Sequence, residues 1–296
     1  MTMGSFRPQS YVKATSSDEV VELLSREGER VRVIGGGTTI YEMANRGLLS
    51  HVTTLVDITK LGLRTIREDS QKGVVFIGAC STFTDMLRNK TLGKHPCINA
   101  VLDALNAIKP VQVRNVATIG GSVCGGIPLF DLPVALLALG TNVLIRGSQG
   151  ERMSPMEDFI GTFKVGLKDG EFVLGFEVQH SHAASSFEKF AFTGDDWAIV
   201  NCATRVFLDD RGLMRDCRVV FGGGVQKVTR DEEAERALEG LHASDDTIQK
   251  AVEDSTRKIE FINDSRSSDA YRRKVARYLL RVSLLRTLKQ FGSYVG

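Results

Sequence analysis

Residues 111–133 of the chain read VQVRNVATIGGSVCGGIPLFDLP, and apolar helical patterns precede and follow them. Four of the 29 glycines stand in this stretch as two adjacent pairs. Glycine reaches backbone conformations that other residues avoid, so a ligand can lie directly on its main chain. Thr118 and Ser122 flank the first pair, Gly120–Gly121, and can supply hydroxyl groups. Two interpretations stay open: a ligand-binding loop, or a tight connection between buried helices with Asp131 as a helix-start acid.

A second glycine cluster lies far upstream, at Gly35–Gly37. The pattern predicts a strand over 31–34, a glycine loop, a helix from Thr38 and a further strand near 52–58. Free backbone N–H groups at such a helix start form an anion site, with phosphate as the expected guest. The third glycine of a Rossmann fingerprint falls at Ile40, and no Walker lysine follows. An ordinary loop remains the alternative.

Composition limits the class of protein. The chain has 296 residues, which favours two domains, and its net charge of +2 gives no indication of nucleic acid. The five cysteines include no CxxC pair, which argues against a local metal site and favours a reducing compartment. The first residues, MTMGSFRPQSYV, lack the apolar run of a signal peptide. Because no stretch approaches roughly 18 apolar residues, we expect a cytoplasmic protein without a membrane span.

Two further segments organise the second half of the chain. A polar connection at 180–186 predicts a domain boundary, after which strands are expected at 187–192, 201–208 and 215–221. The last helix, predicted over 268–290, has Tyr271 and Tyr278 on its apolar face. Its other face carries Arg272 among many basic residues, which indicates a solvated face or a subunit contact rather than a nucleic-acid patch.

Four ordered motifs together resemble a known family. They are VIGGGTTI at 33–40, RNVATIGGSVCGGIPLFDLP at 114–133, FEKFAFTGDDWA at 187–198 and SRSSDAYRRKVARYLL at 265–280. The chain resembles, over nearly its whole length, the FAD-binding medium subunit of the molybdenum hydroxylases, the xanthine dehydrogenase and CO dehydrogenase family. The resemblance implies an α+β protein with a two-subdomain FAD-binding fold of the vanillyl-alcohol-oxidase (PCMH) type, followed by a smaller α/β C-terminal domain.

The resemblance also implies domain limits. The FAD-binding domain covers 1–179, with subdomains of about 1–60 and 61–179, and the C-terminal domain covers 187–290.

The resemblance implies a set of FAD-binding residues. The backbone of 32–39 cradles the pyrophosphate, so Gly36 is expected to be small because the ligand lies against it. Residues 118–122 hold the dinucleotide from the other side. The remaining positions are Asp131 as a flavin-contacting acid, Ile108 as an apolar contact, Phe172 on the adenine side, Lys189 as a flavin-binding lysine and Trp197 near the isoalloxazine ring. The full set is Arg32, Val33, Ile34, Gly35, Gly36, Gly37, Thr38, Thr39, Ile108, Thr118, Ile119, Gly120, Gly121, Ser122, Asp131, Phe172, Lys189 and Trp197.

Three positions depart from the family's usual residues. Thr39 replaces a frequent aspartate, Ser122 a frequent asparagine, and Gly125 another asparagine. These changes affect side-chain hydrogen bonds more than backbone contacts.

The implied function is electron transfer. Substrate is hydroxylated at a molybdenum cofactor on a large subunit, 2Fe–2S clusters on a small subunit carry the electrons to FAD on this chain, and FAD reduces NAD or another acceptor. The assembly is expected to be a dimer of heterotrimers. No acid–base, nucleophilic or metal-ligating residue is assigned; the five histidines are scattered in sequence, with a metal at His180–His182 as a minor alternative. A stand-alone flavin oxidoreductase and a flavin-free scaffold remain the rival functions.

Overall fold

The computed structural model describes residues 6–162 and 164–292, and the strands of these residues form three sheets. The first domain was predicted to begin at residue 1, and residues 1–5 lie outside the described ranges. Across these ranges, no helix has both the length and the apolarity to cross a bilayer. The mixture of helices with both parallel and antiparallel sheets confirms the α+β prediction.

The first sheet is parallel, with β3 between β1 and β2. Its helix α1 supplies the crossover that parallel strands need. Ser16 caps this helix by accepting the Glu19 N–H at 3.2 Å, and Val20 is fully buried beneath it. The predicted strand–glycine–helix order is confirmed. The elements are β1 (Ser10–Lys13), α1 (Ser17–Glu27), β2 (Val31–Ile34), α2 (Thr38–Asn45) and β3 (Thr54–Asp57).

The second sheet is antiparallel, in the order β4-β5-β8-β6-β7. Helix α7 is buried along all of its residues, and it packs with α4 in the main apolar core. The elements are β4 (Ile66–Asp69), β5 (Val74–Gly78), α3 (Phe83–Arg88), α4 (Asn99–Ala107), α5 (Val111–Val116), α6 (Ile119–Cys124), α7 (Asp131–Ala138), β6 (Asn142–Gly147), β7 (Gly150–Pro155), α8 (Met156–Phe159) and β8 (Phe172–Gln179).

The stretch 111–133 is more helical than its glycines indicate. Helices α5 and α6 occupy most of it, and among its four glycines only Gly126 has a positive φ, of 60°. Gly120 is small for another reason, because a Cβ there would lie 2.8 Å from the carbonyl oxygen of Ala79. The Gly120 N–H donates to that carbonyl at 3.0 Å, so the glycine lets α6 approach the end of β5.

The third sheet is antiparallel, in the order β12-β11-β10-β9. Helix α11 packs across it, and hydroxyls of Ser283 and Thr287 on the helix meet Thr204 of β10 at 2.7 and 2.8 Å. The elements are β9 (Ala184–Phe190), β10 (Val200–Leu208), β11 (Met214–Gly222), β12 (Thr229–Arg230), α9 (Glu232–Leu238), α10 (Asp245–Asp254) and α11 (Asp269–Lys289).

The buried face of α11 differs from the predicted one. Tyr271 and Tyr278 are 45% and 67% exposed, whereas Arg272 is completely buried. The Arg272 guanidinium donates to the Ile199 carbonyl at 2.8 Å and to the Asp264 carboxylate at 2.6 Å. A buried charge is tolerated when it is paired and hydrogen-bonded in this way. Because the apolar pattern does not reveal such partners, it placed Arg272 on the solvated face.

Candidate functional site

A cavity of about 580 Å³ lies where α2, the end of α4, α7 and the loop after β9 meet. Its volume falls within the range of about 300–1,000 Å³ that is usual for small-molecule and cofactor sites. Half of the positions that the resemblance implies line it: Gly36, Gly37, Thr38, Thr39, Ile108, Ser122, Asp131, Lys189 and Trp197.

The N-terminus of α2 presents unpaired backbone donors to this cavity. Gly37 precedes the helix in a left-handed conformation with φ of 77°, and no side chain caps the helix there. The first bond of the turn runs from the Tyr41 N–H to the Gly37 carbonyl at 2.9 Å. In the described chain, the amides of residues 36–39 donate to no protein acceptor. Such a helix start is a binding site for an anion such as a phosphate group.

The small size of Gly36 has a cause within the protein. A Cβ at this position would lie 1.7 Å from the carbonyl oxygen of Val116, which no side chain can accommodate. The glycine is therefore required by the contact between the 35–37 turn and the end of α5. The expectation that a bound pyrophosphate also requires a small residue here stays a prediction.

One hydrogen bond joins the two glycine segments: the Thr39 hydroxyl donates to the Gly121 carbonyl at 3.1 Å. Within the second segment, the Thr118 hydroxyl caps α6 by accepting the Gly121 N–H at 3.1 Å. Thr118 also lies close to Gly35, where a Cβ would be 3.2 Å from its hydroxyl oxygen. The structure therefore brings the two predicted motifs into contact.

Ser122 of α6 lines the cavity and carries a hydroxyl group. It is 7% exposed, and its hydroxyl makes no hydrogen bond within the described part of the chain. A hydroxyl has one donor and two acceptor sites, so this group is available to a ligand.

Asp131 is held by two side chains of the third sheet. Its carboxylate accepts the Lys189 ammonium at 2.8 Å and the Asn201 amide at 2.7 Å. Burial raises the pKa of the Asp131 carboxyl, and the Lys189 charge and the two hydrogen bonds oppose that rise. Asp131 makes no helix-capping bond, although it begins α7. The residue therefore connects α7 to β9 and β10, and it lines the cavity.

Trp197, the one tryptophan of the chain, lines the opposite part of the cavity. The Phe130 ring meets it edge to face, with centroids 6.2 Å apart. The Arg46 guanidinium lies over the Trp197 ring, 4.7 Å from its centroid. One face of the indole is thus covered by a cation, and contact with a ligand is limited to the rest of the ring.

Phe172 is not at the cavity. It is 1% exposed and belongs to the apolar core between the first sheet and β8, together with Val20, Val31 and Leu174. Because β8 alternates its side chains between two covered faces, Phe172 and Leu174 point to the same core. The apolar character of Phe172 is explained by packing, and the structure does not support its adenine-side position.

The remaining predicted positions lie outside the cavity lining. Val33 and Ile34 of β2 pack against apolar clusters, Arg32 is half-buried, and Ile119 is fully buried in the main core. These residues and Gly35, Thr118, Gly120 and Gly121 do not line the cavity.

Several lining residues were missed by the sequence interpretation. Six of them lie inside the quoted motifs 114–133 and 187–198, and the others except Phe83 lie within a few positions of a motif or of Ile108. Phe83 is brought in from the start of α3 by the fold, and Asn201 reaches Asp131 from β10, so neither has a local signal. The missed lining residues are Tyr41, Glu42, Phe83, Ala107, Lys109, Pro110, Val113, Ala117, Leu129, Phe130, Gly194, Asp195 and Asp196.

A cofactor-sized cavity beside an uncapped helix start is a site that suits a nucleotide cofactor. The sequence profile of the family described as the FAD binding domain in molybdopterin dehydrogenase matches residues 4–179. The profile of the CO dehydrogenase flavoprotein C-terminal domain matches residues 185–287. The chain therefore belongs to the family of FAD-binding domains in molybdopterin dehydrogenases.

Characterised relatives agree with this assignment. The chain is 29% identical to the 6-hydroxypseudooxynicotine dehydrogenase complex subunit alpha of Paenarthrobacter nicotinovorans over 94% of each chain. It is 29% identical to the glyceraldehyde dehydrogenase medium chain of Sulfolobus acidocaldarius, over 91% of this chain and 95% of that protein.

Solved structures show the same fold. A chain of carbon monoxide dehydrogenase from Hydrogenophaga pseudoflava superposes with a TM-score of 0.88 at 25% identity, covering 96% of this chain and 98% of that one. The expected FAD-binding fold with a smaller C-terminal domain is confirmed.

The residues present fit an FAD cofactor. The unpaired amides of 36–39 suit a diphosphate, and the Ser122 hydroxyl is open to a polar part of the ligand. When bound, FAD supplies redox chemistry that no amino-acid side chain provides, and the protein supplies binding and orientation.

Proposed function

We propose that this chain is the FAD-binding, electron-transfer subunit of a molybdenum-containing hydroxylase or dehydrogenase. The observation that carries the proposal is the set of unpaired amides of 36–39 at the edge of a cofactor-sized cavity. Diphosphate is the part of FAD that these donors match, because it carries negative charge and many acceptor oxygens. In our proposal, Ser122 adds a hydroxyl contact and Trp197 lies beside the flavin ring.

Lys189 in the cavity lining and Arg46 beside it are each paired with a carboxylate, and they have different roles in this proposal. Lys189 is already paired with Asp131, so its ammonium adds little free charge to the cavity, but its remaining donors can reach a ligand. Arg46 covers Trp197 and is paired with Glu42 at 2.6 Å. The Lys109 ammonium also lines the cavity, and it donates to the Asn106 carbonyl at 3.0 Å. In this proposal the backbone dipoles at the start of α2 bind the anion, as is usual at helix starts, and Lys109 adds a positive charge to the cavity lining.

The partners are inferred from the relatives. Relatives are named as medium chains or subunits of complexes, so we propose a large subunit with the molybdenum cofactor and a small subunit with 2Fe–2S clusters. Electrons pass from the clusters to FAD on this chain and then to NAD or another acceptor. A dimer of such heterotrimers and a cytoplasmic location are parts of the same proposal.

The domain limits are also proposed. We assign 1–179 to the FAD-binding domain, with subdomains of about 1–60 and 61–179, and 187–290 to the C-terminal domain. The first two limits agree with the sheets, since strands of the first sheet end at Asp57 and those of the second at Gln179. The third sheet begins at Ala184, so the first strand of the C-terminal domain starts before residue 187.

The test is the flavin content of the purified full-length chain. We expect about one FAD per chain by the visible spectrum after release of the cofactor, or uptake of one added FAD by the flavin-free chain. FMN, which lacks the diphosphate–adenosine part, is the matched control and should bind much more weakly. A folded chain that takes up no FAD contradicts the proposal and favours the flavin-free scaffold.

A second experiment distinguishes a subunit from a stand-alone flavoprotein. The tagged chain is purified from its own host, and molybdenum and iron are measured in the eluate. We expect both metals in fixed ratio to FAD; their absence from an FAD-loaded chain favours a stand-alone flavin oxidoreductase.

A further inference from the structure

A cluster of two histidines and one glutamate lies away from the cavity. The Nε2 atoms of His95 and His180 lie 3.3 and 3.5 Å from the same carboxylate oxygen of Glu68. The two imidazole rings are stacked, with centroids 4.5 Å apart and planes inclined by 20°. We call Glu68, His95 and His180 the His–Glu cluster. The two histidines are far apart in sequence, as expected, and the fold brings these positions together from 85 residues apart.

The Nε2 atoms of His95 and His180 lack hydrogen-bond partners among the described residues. Both Nε2 atoms are buried, and neither has a hydrogen bond of acceptable geometry, although the Glu68 oxygen is within 3.5 Å of each. Buried polar atoms are nearly always satisfied, so two adjacent exceptions that face one carboxylate require an explanation.

The His–Glu cluster brings together three ligand atoms of the kinds that bind transition metals. One nitrogen of each imidazole and one carboxylate oxygen lie within 4.8 Å of one another. In the described part of the chain, no lysine or arginine forms an ion pair with Glu68.

We propose that the His–Glu cluster binds a divalent first-row transition ion, with Zn²⁺ as the best-suited example. Imidazole and carboxylate are ligands for Zn²⁺, Co²⁺, Ni²⁺ and Fe²⁺, whereas Mg²⁺ prefers oxygen ligands alone. Two histidines and one carboxylate leave at least one coordination position for water. Binding uses the deprotonated nitrogens, so the metal replaces the missing hydrogen-bond partners of both rings.

The cluster lies where two parts of the chain meet. Glu68 belongs to the edge strand β4, His95 lies between two short helical turns, and His180 directly follows β8. The next strand, β9, begins at Ala184 and opens the third sheet. The ion therefore fastens the connection between the two large parts of the chain to the edge of the second sheet. None of its three ligands lines the flavin cavity.

The experiment measures metal binding to the tag-free full-length chain after removal of metals by a chelator. Calorimetric titration with Zn²⁺ should show one site per chain, and Mg²⁺ should show none. His180→Ala and His95→Ala should each weaken Zn²⁺ binding by at least about 100-fold, the upper end of the effect of losing a metal site's supporting residue. His182→Ala is the matched control, since His182 is exposed and outside the cluster, and it should bind like the parent.

Two further measurements distinguish loss of the metal site from misfolding of a variant. Glu68→Gln keeps the size of the side chain and should weaken Zn²⁺ binding, while FAD content reports that the variant is folded. Co²⁺ bound to the parent should give visible ligand-field bands that His180→Ala lacks. The proposal is overturned by a parent that binds no Zn²⁺ stoichiometrically, or by equal affinity in the parent and His180→Ala.

Discussion

The Lys189 ammonium of β9 lies 2.8 Å from the Asp131 carboxylate at the start of α7, and their side chains are 12% and 5% exposed. The pair joins the third sheet to the helix that follows the central glycine segment. Asn201 completes it by donating to the second carboxylate oxygen at 2.7 Å. A buried carboxylate is stable in this position because both of its oxygens are bonded.

Lys189→Met should destabilise the protein strongly. It leaves the Asp131 carboxylate buried without its cation, and breaking a buried pair from one side costs about 3–5 kcal/mol. Urea denaturation of the flavin-free chain measures the loss. Lys72→Met is the control, because Lys72 is exposed and lies 3.9 Å from Asp69, and such surface pairs contribute about 0–1 kcal/mol. Equal effects of the two substitutions would contradict the role of the buried pair.

The effect of Lys189→Met should depend on pH. Without Lys189, burial is less opposed and the pKa of Asp131 lies further above its ordinary value of 3.8. An acid whose pKa is raised in the folded state favours folding at low pH and loses that contribution as the pH rises. The free-energy deficit of the variant should therefore be smallest at low pH, where Asp131 is protonated in both proteins. It should grow as the pH rises above the folded-state pKa of Asp131 in the parent, which itself lies above 3.8. A deficit that is constant with pH excludes Asp131 as its source.

Substitutions of the upstream glycines should separate packing from ligand contact. Gly36→Ala forces the Val116 carbonyl away, and overpacking of this severity costs about 3 kcal/mol or more. Gly37→Ala has space but a φ of 77°, which costs about 1–2 kcal/mol. Gly93→Ala, with open space and no positive φ, should stay within about 0.5 kcal/mol. If Gly36→Ala removes FAD while the flavin-free protein keeps its stability, the ligand rather than Val116 requires this glycine.

Ser122→Ala should weaken FAD binding without weakening the fold. Its hydroxyl has no protein partner and faces the cavity, so its removal costs the ligand about one hydrogen bond, a two- to tenfold loss in affinity. The matched variant is Ser81→Ala, whose buried hydroxyl donates to the Thr65 carbonyl at 3.0 Å. It should lower stability by about 1 kcal/mol and leave FAD affinity unchanged. FAD titrations and melting curves of both variants test this prediction. Unchanged FAD affinity with lower stability in Ser122→Ala, and lower FAD affinity in Ser81→Ala, would contradict the assignment of Ser122 to the binding site.

Trp197 should report the flavin. Because it is the one tryptophan of the chain and lines the cavity, FAD titrated into the flavin-free protein should quench its fluorescence to a one-to-one endpoint. Trp197→Leu should keep FAD but alter its visible spectrum or its rate of reduction. Phe192→Leu is the control, since Phe192 is 60% exposed and outside the cavity. Unchanged flavin spectra and rates in Trp197→Leu would assign Trp197 to packing alone.

Local patterns predicted much of the fold. The strand over 31–34 and the helix from Thr38 follow from β-branched residues next to glycines and threonines, and these elements form as expected. The stretch 111–133 was less predictable, because glycine pairs indicate a loop and do not show that Gly120 must pass close to the Ala79 carbonyl. The contact between Gly120 of α6 and the Ala79 carbonyl after β5 forms only in the folded protein, so local sequence patterns do not predict it.

The candidate site was predictable in its motifs but not in its cross-chain partners. Thr39, Ser122 and Asp131 were found because each lies in a recognisable segment, and all three line the cavity. Asn201 was missed because an amide within a strand pattern has no local signal for a partner 70 residues earlier. Phe172 was placed near the ligand on resemblance alone, and the structure shows it packed in the core with Val20, Val31 and Leu174.

The central claim is that FAD binds in the cavity beside α2, and a crystal structure of the FAD-loaded chain tests it most directly. Our account predicts the diphosphate within hydrogen-bond distance of the amides of residues 36–39, with the flavin extending towards Trp197 and the Asp131–Lys189 pair. Well-ordered FAD at another place, or a cavity that stays free of cofactor in a chain that binds FAD in solution, would contradict it.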